Sequence, residues 1–150
     1  MASLESYIAE LNTFANTLEN QVNAIILEDE NEVIDVLQQR LMDTGLDAKK
    51  SPIGGGQYAP VTIENKKKKG QEIGHFTLFN KGDFHGSMFI QELGKTLFIT
   101  SRDAKTNVLI QDYGEDILGL TNEETAFIVQ WTIDPEIQKT INKLPQTIDI

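Results

Sequence analysis

The sequence predicts an α+β fold in which a long N-terminal helix and a second helix precede a small antiparallel β-meander and C-terminal helices. Three observations carry that expectation. Apolar residues recur at helical spacing through residues 4–41, short runs of strand formers broken by tight-turn residues follow, and two helix-start signatures sit in the last third.

Ser3 is a capping residue placed just ahead of Leu4. Leu4, Ile8, Leu11, Ala15, Leu18, Val22 and Ile25 then alternate by four and three residues, a heptad seam with no Pro or Gly inside it. A helix over residues 3–28 would be about 38 Å long at 1.5 Å per residue. The seam either packs on the rest of its own chain or meets another subunit in part, and Leu11 and Leu18 are the contact candidates on it. The acidic break Glu28-Asp29-Glu30-Asn31 leads to a second helix with Val33, Leu37 and Leu41 on one face, closed by Gly45. The pair is open to two arrangements, a bent rod or a hairpin, and the helical part spans residues 3–44.

Periodicity then stops, and residues 46–74 are expected to form an extended, pliable loop. Gly54-Gly55-Gly56 reads as a flexible linker rather than a phosphate loop, because no Gly-Lys-Ser/Thr follows and no strand precedes it. Lys66, Lys67, Lys68 and Lys69 form the one basic cluster of an acidic chain. That run is either a solvated loop or a contact with an acidic neighbour or with DNA phosphates.

Residues 75–101 are expected to form the meander. Residues 75–79 are the first strand and Asn80-Lys81-Gly82-Asp83 its turn. The second strand covers residues 87–93, with Met88 and Ile90 on one face, and Gly94-Lys95 turns into a third over 96–101. Residues 106–144 are the helical C-terminal part. Thr121 with Glu124 has capping-box form, and the helix after it is expected to turn Phe127, Ile128 and Trp131 inward. Asp134-Pro135 predicts a separate helix start, Ile137, Ile141 and Leu144 an apolar face, and Pro145 its end. One domain over residues 1–150 accommodates all of this.

The chain has 150 residues, 39% of them hydrophobic and 24% charged, as expected of a folded domain rather than a disordered one. It lacks cysteine, which excludes thiol nucleophiles and Cys-based zinc sites. The polar, acidic start is unlike a secretion signal, and no apolar run has membrane-spanning length, so assembly in a cytoplasm is expected. A net charge of −10 disfavours general affinity for nucleic acid.

His75 and His85, with Asp83 nearby, are the residues from which a metal-dependent hydrolase site could be built, but their spacing matches no ligand motif. An adaptor that binds a partner through the N-terminal heptad helix is a further alternative. No catalytic, cofactor or metal residues are assigned, and a non-enzymatic role is expected.

Several short pieces stand in a familiar order. The helix ending at Gly45 is followed by Asp47 and the glycine loop, then by Tyr58-Ala59-Pro60 with Thr62, and by the lysine stretch ending at Gly70. Thr77-Leu78, Gly82-Asp83-Phe84 and Ser87 come next, and Leu109 and Tyr113-Gly114 lead into Ile117 and Gly119-Leu120. Over residues 37–120 this order is similar to the tail-completion, or virion-morphogenesis, family of tailed bacteriophages. Lys81 and Gly119-Leu120-Thr121 depart from that family's pattern. The resemblance implies a structural virion subunit of the neck, a head–tail connector, tail-completion or tail-terminator protein. It implies a homo-oligomeric ring, hexamer or dodecamer, assembled in the host cytoplasm against neck, portal or tail proteins. DNA would pass through the lumen without specific binding. Six copies at −10 each would carry a charge of about −60, which keeps DNA from adhering. Tyr58 and Lys66 to Lys69 join Leu11 and Leu18 as subunit-contact candidates.

Overall fold

A computed structural model describes residues 2–144 and 148–149. Ser3 caps helix α1 (Leu4–Glu28), its hydroxyl accepting the Ser6 N–H at 3.2 Å. Asp29 alone separates α1 from α2 (Glu30–Thr44). Its N–H donates to Ile25 O and its carbonyl accepts the Val33 N–H, so the two helices form a bent rod. A single joining residue is too short for a helical hairpin. Gly45, in the left-handed region at φ +64, closes α2.

The core is built on α2. Leu37 and Leu41 are fully buried, with Val33 and Ile34 beside them. Strands β2 (Met88–Leu93) and β3 (Thr96–Ser101) form an antiparallel hairpin, with Ile90 opposite Ile99. Met88, Ile90 and Ile99 face inward, as the alternation predicts, and the chain turns at Gly94-Lys95. A two-stranded hairpin is marginal alone. Side chains of α2 support this one: Glu30 accepts the Ile90 N–H at 2.9 Å, and Gln38 donates to His85 O at 2.7 Å. A second, short pairing joins β1 (Ala2–Ser3) to β4 (Ile148–Asp149) in parallel. The fold is α+β, with the long N-terminal helix, one antiparallel hairpin and C-terminal helices.

Several expectations are corrected. Residues 75–79 are not a strand, so the meander reduces to the β2–β3 hairpin. Their backbone groups go to side chains instead. The Tyr58 hydroxyl accepts the Thr77 N–H at 2.9 Å, the Thr77 hydroxyl accepts the Phe79 N–H at 3.2 Å, and Leu78 turns to φ +56. Once side chains satisfy these groups, no strand partner is needed.

Residues 46–74 are not one extended loop. Residues 46–52 close on themselves, Asp47 accepting the N–H groups of Lys49 and Ser51, each at 2.9 Å. The 3-10 turn Ile53–Gly56 is packed rather than a flexible linker. Ile53 is buried, and a Cβ at Gly54 would lie 2.4 Å from the Phe76 ring. Helix α3 (Pro60–Lys68) then begins with Pro at its first position, where the missing N–H costs nothing. The lysine run ends this helix, as the dipole favours.

The C-terminal part is nearly continuous. After α4 (Asp83–Gly86) and the hairpin come α5 (Thr106–Tyr113) and a 3-10 turn at Glu115–Leu118. Helix α6 (Asn122–Ile128) carries the Thr121/Glu124 capping box as expected. It runs through a π segment, Val129–Ile133, into α7 (Asp134–Asn142), so Asp134 is helical rather than a cap. The π segment accommodates Pro135, which cannot donate to the carbonyl four residues back. Ile128 and Ile133 point inward, but Phe127 and Trp131 point outward, 53% and 64% exposed. Ile137 packs against the core, Ile141 is 37% exposed, and Pro145 lies outside the described residues.

One polar node ties these parts together. Arg40 on α2 pairs with Glu124 on α6, donates to Leu46 O at 3.0 Å and to Gly119 O at 2.8 Å, and is itself buried. Glu124 also closes the capping box by accepting the Thr121 N–H at 2.9 Å.

Candidate functional site

The structure separates the contact candidates into two surfaces. The first is the N-terminal half of α1. No residue of α1 is fully buried, and Leu4, Ile8 and Leu11 are 47%, 47% and 37% exposed. Leu18 is half-buried, and Val22, Ile25, Ile26 and Leu27 pack against the core. The heptad seam is therefore core at one end and uncovered at the other. Leu4, Ile8 and Leu11 thus form one exposed apolar stripe on the helix.

The second surface is a cleft of about 410 Å³ between α3 and α5. Helix α3 contributes Thr62 and Lys66, and the α5 side contributes Lys105, Leu109 and Tyr113, spaced by four so that they share one face. The floor is aromatic. Tyr58 stacks on Phe76 with centroids 4.2 Å apart, and Tyr113 meets Phe76 edge-on at 5.5 Å. Burial, then the nearby Asp112 and Tyr58, push the Tyr113 phenol above its ordinary value, so it stays protonated.

Lys66 has a different role from the rest of its run. It is buried, and its ammonium donates to Phe79 O at 2.8 Å and lies 4.8 Å from the Tyr58 ring centroid. It fastens α3 to the irregular segment beneath. Lys67, Lys68 and Lys69 are exposed, and Lys69 reaches the Asn80 side chain at 2.6 Å. Among the described residues, the ammonium groups of Lys67, Lys68, Lys81 and Lys105 have no hydrogen-bond or ion-pair partner. Asp103, on the cleft floor, holds a buried carboxylate oxygen, Oδ2, that has no donor among them.

A larger groove of about 700 Å³ runs between the hairpin and α6, lined by Leu97, Ile110, Leu120 and Ile128. Its charged lining residues are Glu115 and Asp116.

His75, Asp83 and His85 are not gathered into a site. His75 Nε2 is 2.7 Å from Met42 O. His85 is buried, and its Nε2 lies 2.8 Å from Thr77 O, where the carbonyl makes the ring nitrogen the donor. Burial holds the His85 pKa below its ordinary 6.5, against the opposing effect of that bond. Among the described residues no group of three His, Cys, Asp or Glu side chains is arranged to hold a metal ion. No helix there is long and apolar enough to cross a membrane.

Sequence reading named Tyr58 and the lysines but missed Lys81, Lys105, Leu109 and Tyr113. The spacing of 105, 109 and 113 was the available signal, once residues 106–113 are taken as a helix. No family model, curated protein or solved structure matches this chain.

Proposed function

We propose that this chain is a structural virion subunit of a tailed bacteriophage, of the neck or tail-completion class, acting by self-assembly and by contact with neighbouring neck, portal or tail proteins. The observation that carries the reading is the first half of α1, where Leu4, Ile8 and Leu11 are all exposed among the described residues. The ordered short motifs of residues 37–120 point to the phage class. A ring of such subunits around a DNA passage accounts for the acidity. The exposed seam also suits an adaptor that binds a partner helix, and one measurement separates the two. Quantitative mass spectrometry of gradient-purified particles from the encoding phage is expected to find the chain at a ring's stoichiometry, about six or twelve copies, the count that the resemblance implies. Particles lacking the chain would retire the virion reading and leave the adaptor.

A further inference from the structure

Unpaired charge of opposite sign lies on the two surfaces. Residues 1–39 contain eight acidic side chains and no basic one. Among the described residues Glu5 and Glu10 have no ion-pair partner, and at about 100° per residue they stand on opposite sides of the Leu4–Ile8–Leu11 stripe. The cleft between α3 and α5 has the reverse pattern. Its floor is aromatic, and Lys81 and Lys105 stand unpaired in its lining with Lys67 and Lys68 beyond on α3. Asp83 and Asp103 also line it, against Lys66, Lys81 and Lys105, and the exposed lysines of α3 tip the surroundings further to positive.

We infer that the N-terminal half of α1 from one copy docks in the α3–α5 cleft of the next copy, as a head-to-tail contact. This rests on the reading of the chain as a self-assembling subunit and supplies the contact that reading lacks. The occupant is a second copy because α1 packs on the α2 junction, the π segment and α7, none of which lines the cleft. Its own cleft is thus not where the helix lies.

Charge chooses between the two grooves. The larger one carries Glu115, without an ion-pair partner among the described residues, and Asp116, paired with Lys49 at 3.2 Å, and offers an acidic helix no free cation, whereas the smaller carries free lysines. Exposed Val61 on α3 and Val108 on α5 extend apolar surface on the helices that bound the cleft. Asn12 stands beside the α1 stripe and brings an amide donor. Because the two surfaces differ, each copy offers one and receives the other, and repetition closes a ring or extends a filament.

The absence of native cysteine makes a clean test. Leu11→Cys and Val61→Cys are made in separate proteins, then oxidised alone and mixed. Covalent dimers formed only in the mixture are the expected result. Dimers of Leu11→Cys alone would show α1 pairing with itself and overturn the inference, as would no cross-link in any sample.

A second arm uses charge. Lys81→Glu with Lys105→Glu, or Glu5→Lys with Glu10→Lys, is expected to weaken self-association at least tenfold in sedimentation equilibrium. Mixing the two charge-reversed proteins should restore it as a heteromeric complex, and failure to restore refutes the pairing. All these positions are exposed, so unchanged thermal unfolding checks the fold. Failure here with the chain present in purified particles would remove this contact and leave the virion reading standing. Pairwise cross-linking of a chain absent from particles would do the reverse.

Discussion

Arg40→Met tests the node that joins the two ends of the fold. The Arg40 and Glu124 side chains are 8% and 14% exposed, so their pair is shielded from the solvent screening that makes surface pairs nearly worthless. Methionine keeps much of the apolar stem but removes every donor. Leu46 O and Gly119 O lose their bonds, and the Glu124 carboxylate keeps only the Thr121 N–H. Removing one partner of a buried pair typically costs about 3–5 kcal/mol. Against a total stability of about 5–15 kcal/mol for a domain, that is a large loss. Glu124→Gln retains an oxygen for the Thr121 N–H and leaves Arg40 with two carbonyl acceptors, so about 1–2 kcal/mol is expected. In the double variant no orphan carboxylate remains, and the loss should fall short of the sum of the singles by about 1 kcal/mol or more. Urea unfolding followed by far-UV circular dichroism reads these as midpoint shifts at constant slope. A loss below about 1 kcal/mol for Arg40→Met, or additivity within about 0.5 kcal/mol, would refute the account of a buried, coupled node.

Three further outcomes follow from single positions. The His85 pKa is depressed in the fold, so the unfolded chain takes up the proton more readily below 6.5. Stability should be full above that value and decline as pH falls through the lower folded-state pKa, and urea midpoints for His85→Gln should show a weaker decline over the same range. Gly54→Ala combines φ +63 with a Cβ 2.4 Å from the Phe76 ring and should cost about 2–4 kcal/mol. Gly55→Ala, with nothing within 4 Å, should cost only the backbone strain of about 1 kcal/mol, and equal midpoint losses would contradict the packing described. Leu11→Lys should change thermal stability by no more than about 0.5 kcal/mol, whereas Ile25→Lys, on the same seam but against the core, should cost several times more.

How far the sequence can be read depends on where each residue's partners lie. The Ser3 cap, the Gly45 termination, the Gly94-Lys95 turn and the Thr121/Glu124 box are local chemistry, complete within a few residues, and all appear as expected. Residues 75–79 had strand composition, but Tyr58 and His85, respectively 19 and 8 residues away, took the backbone bonds of Thr77. No periodicity encodes such partners. Pro135 suggested a break, and the π segment ahead of it let the helix continue. Phe127 and Trp131 were misplaced because the apolar pattern of residues 127–133 does not say which face the core will claim. The cleft was legible only in part: Tyr58 and Lys66 were visible as residues, but their meeting with Tyr113 requires the tertiary fold.

Burial divides the lysine run in a way that composition hides. Lys66 is spent inside the chain, on Phe79 O and the Tyr58 ring, and it belongs to folding. The side chains of Lys67, Lys68, Lys81 and Lys105 make no hydrogen bond or ion pair among the described residues and cost the monomer nothing by remaining hydrated. The seam of α1 is divided likewise, Ile25 and Val22 serving the core while Leu4, Ile8 and Leu11 stay outside it. On the proposed reading, these uncommitted groups are the ones that meet in assembly. Exposed charges steer encounter more than they add affinity, so assembly should speed up steeply as salt is lowered. Dissociation should instead follow the apolar contacts. Stopped-flow light scattering should therefore show an association rate that falls severalfold between low and physiological ionic strength, with a dissociation rate little changed. An association rate independent of salt would mean that the lysines and the acidic helix do not meet.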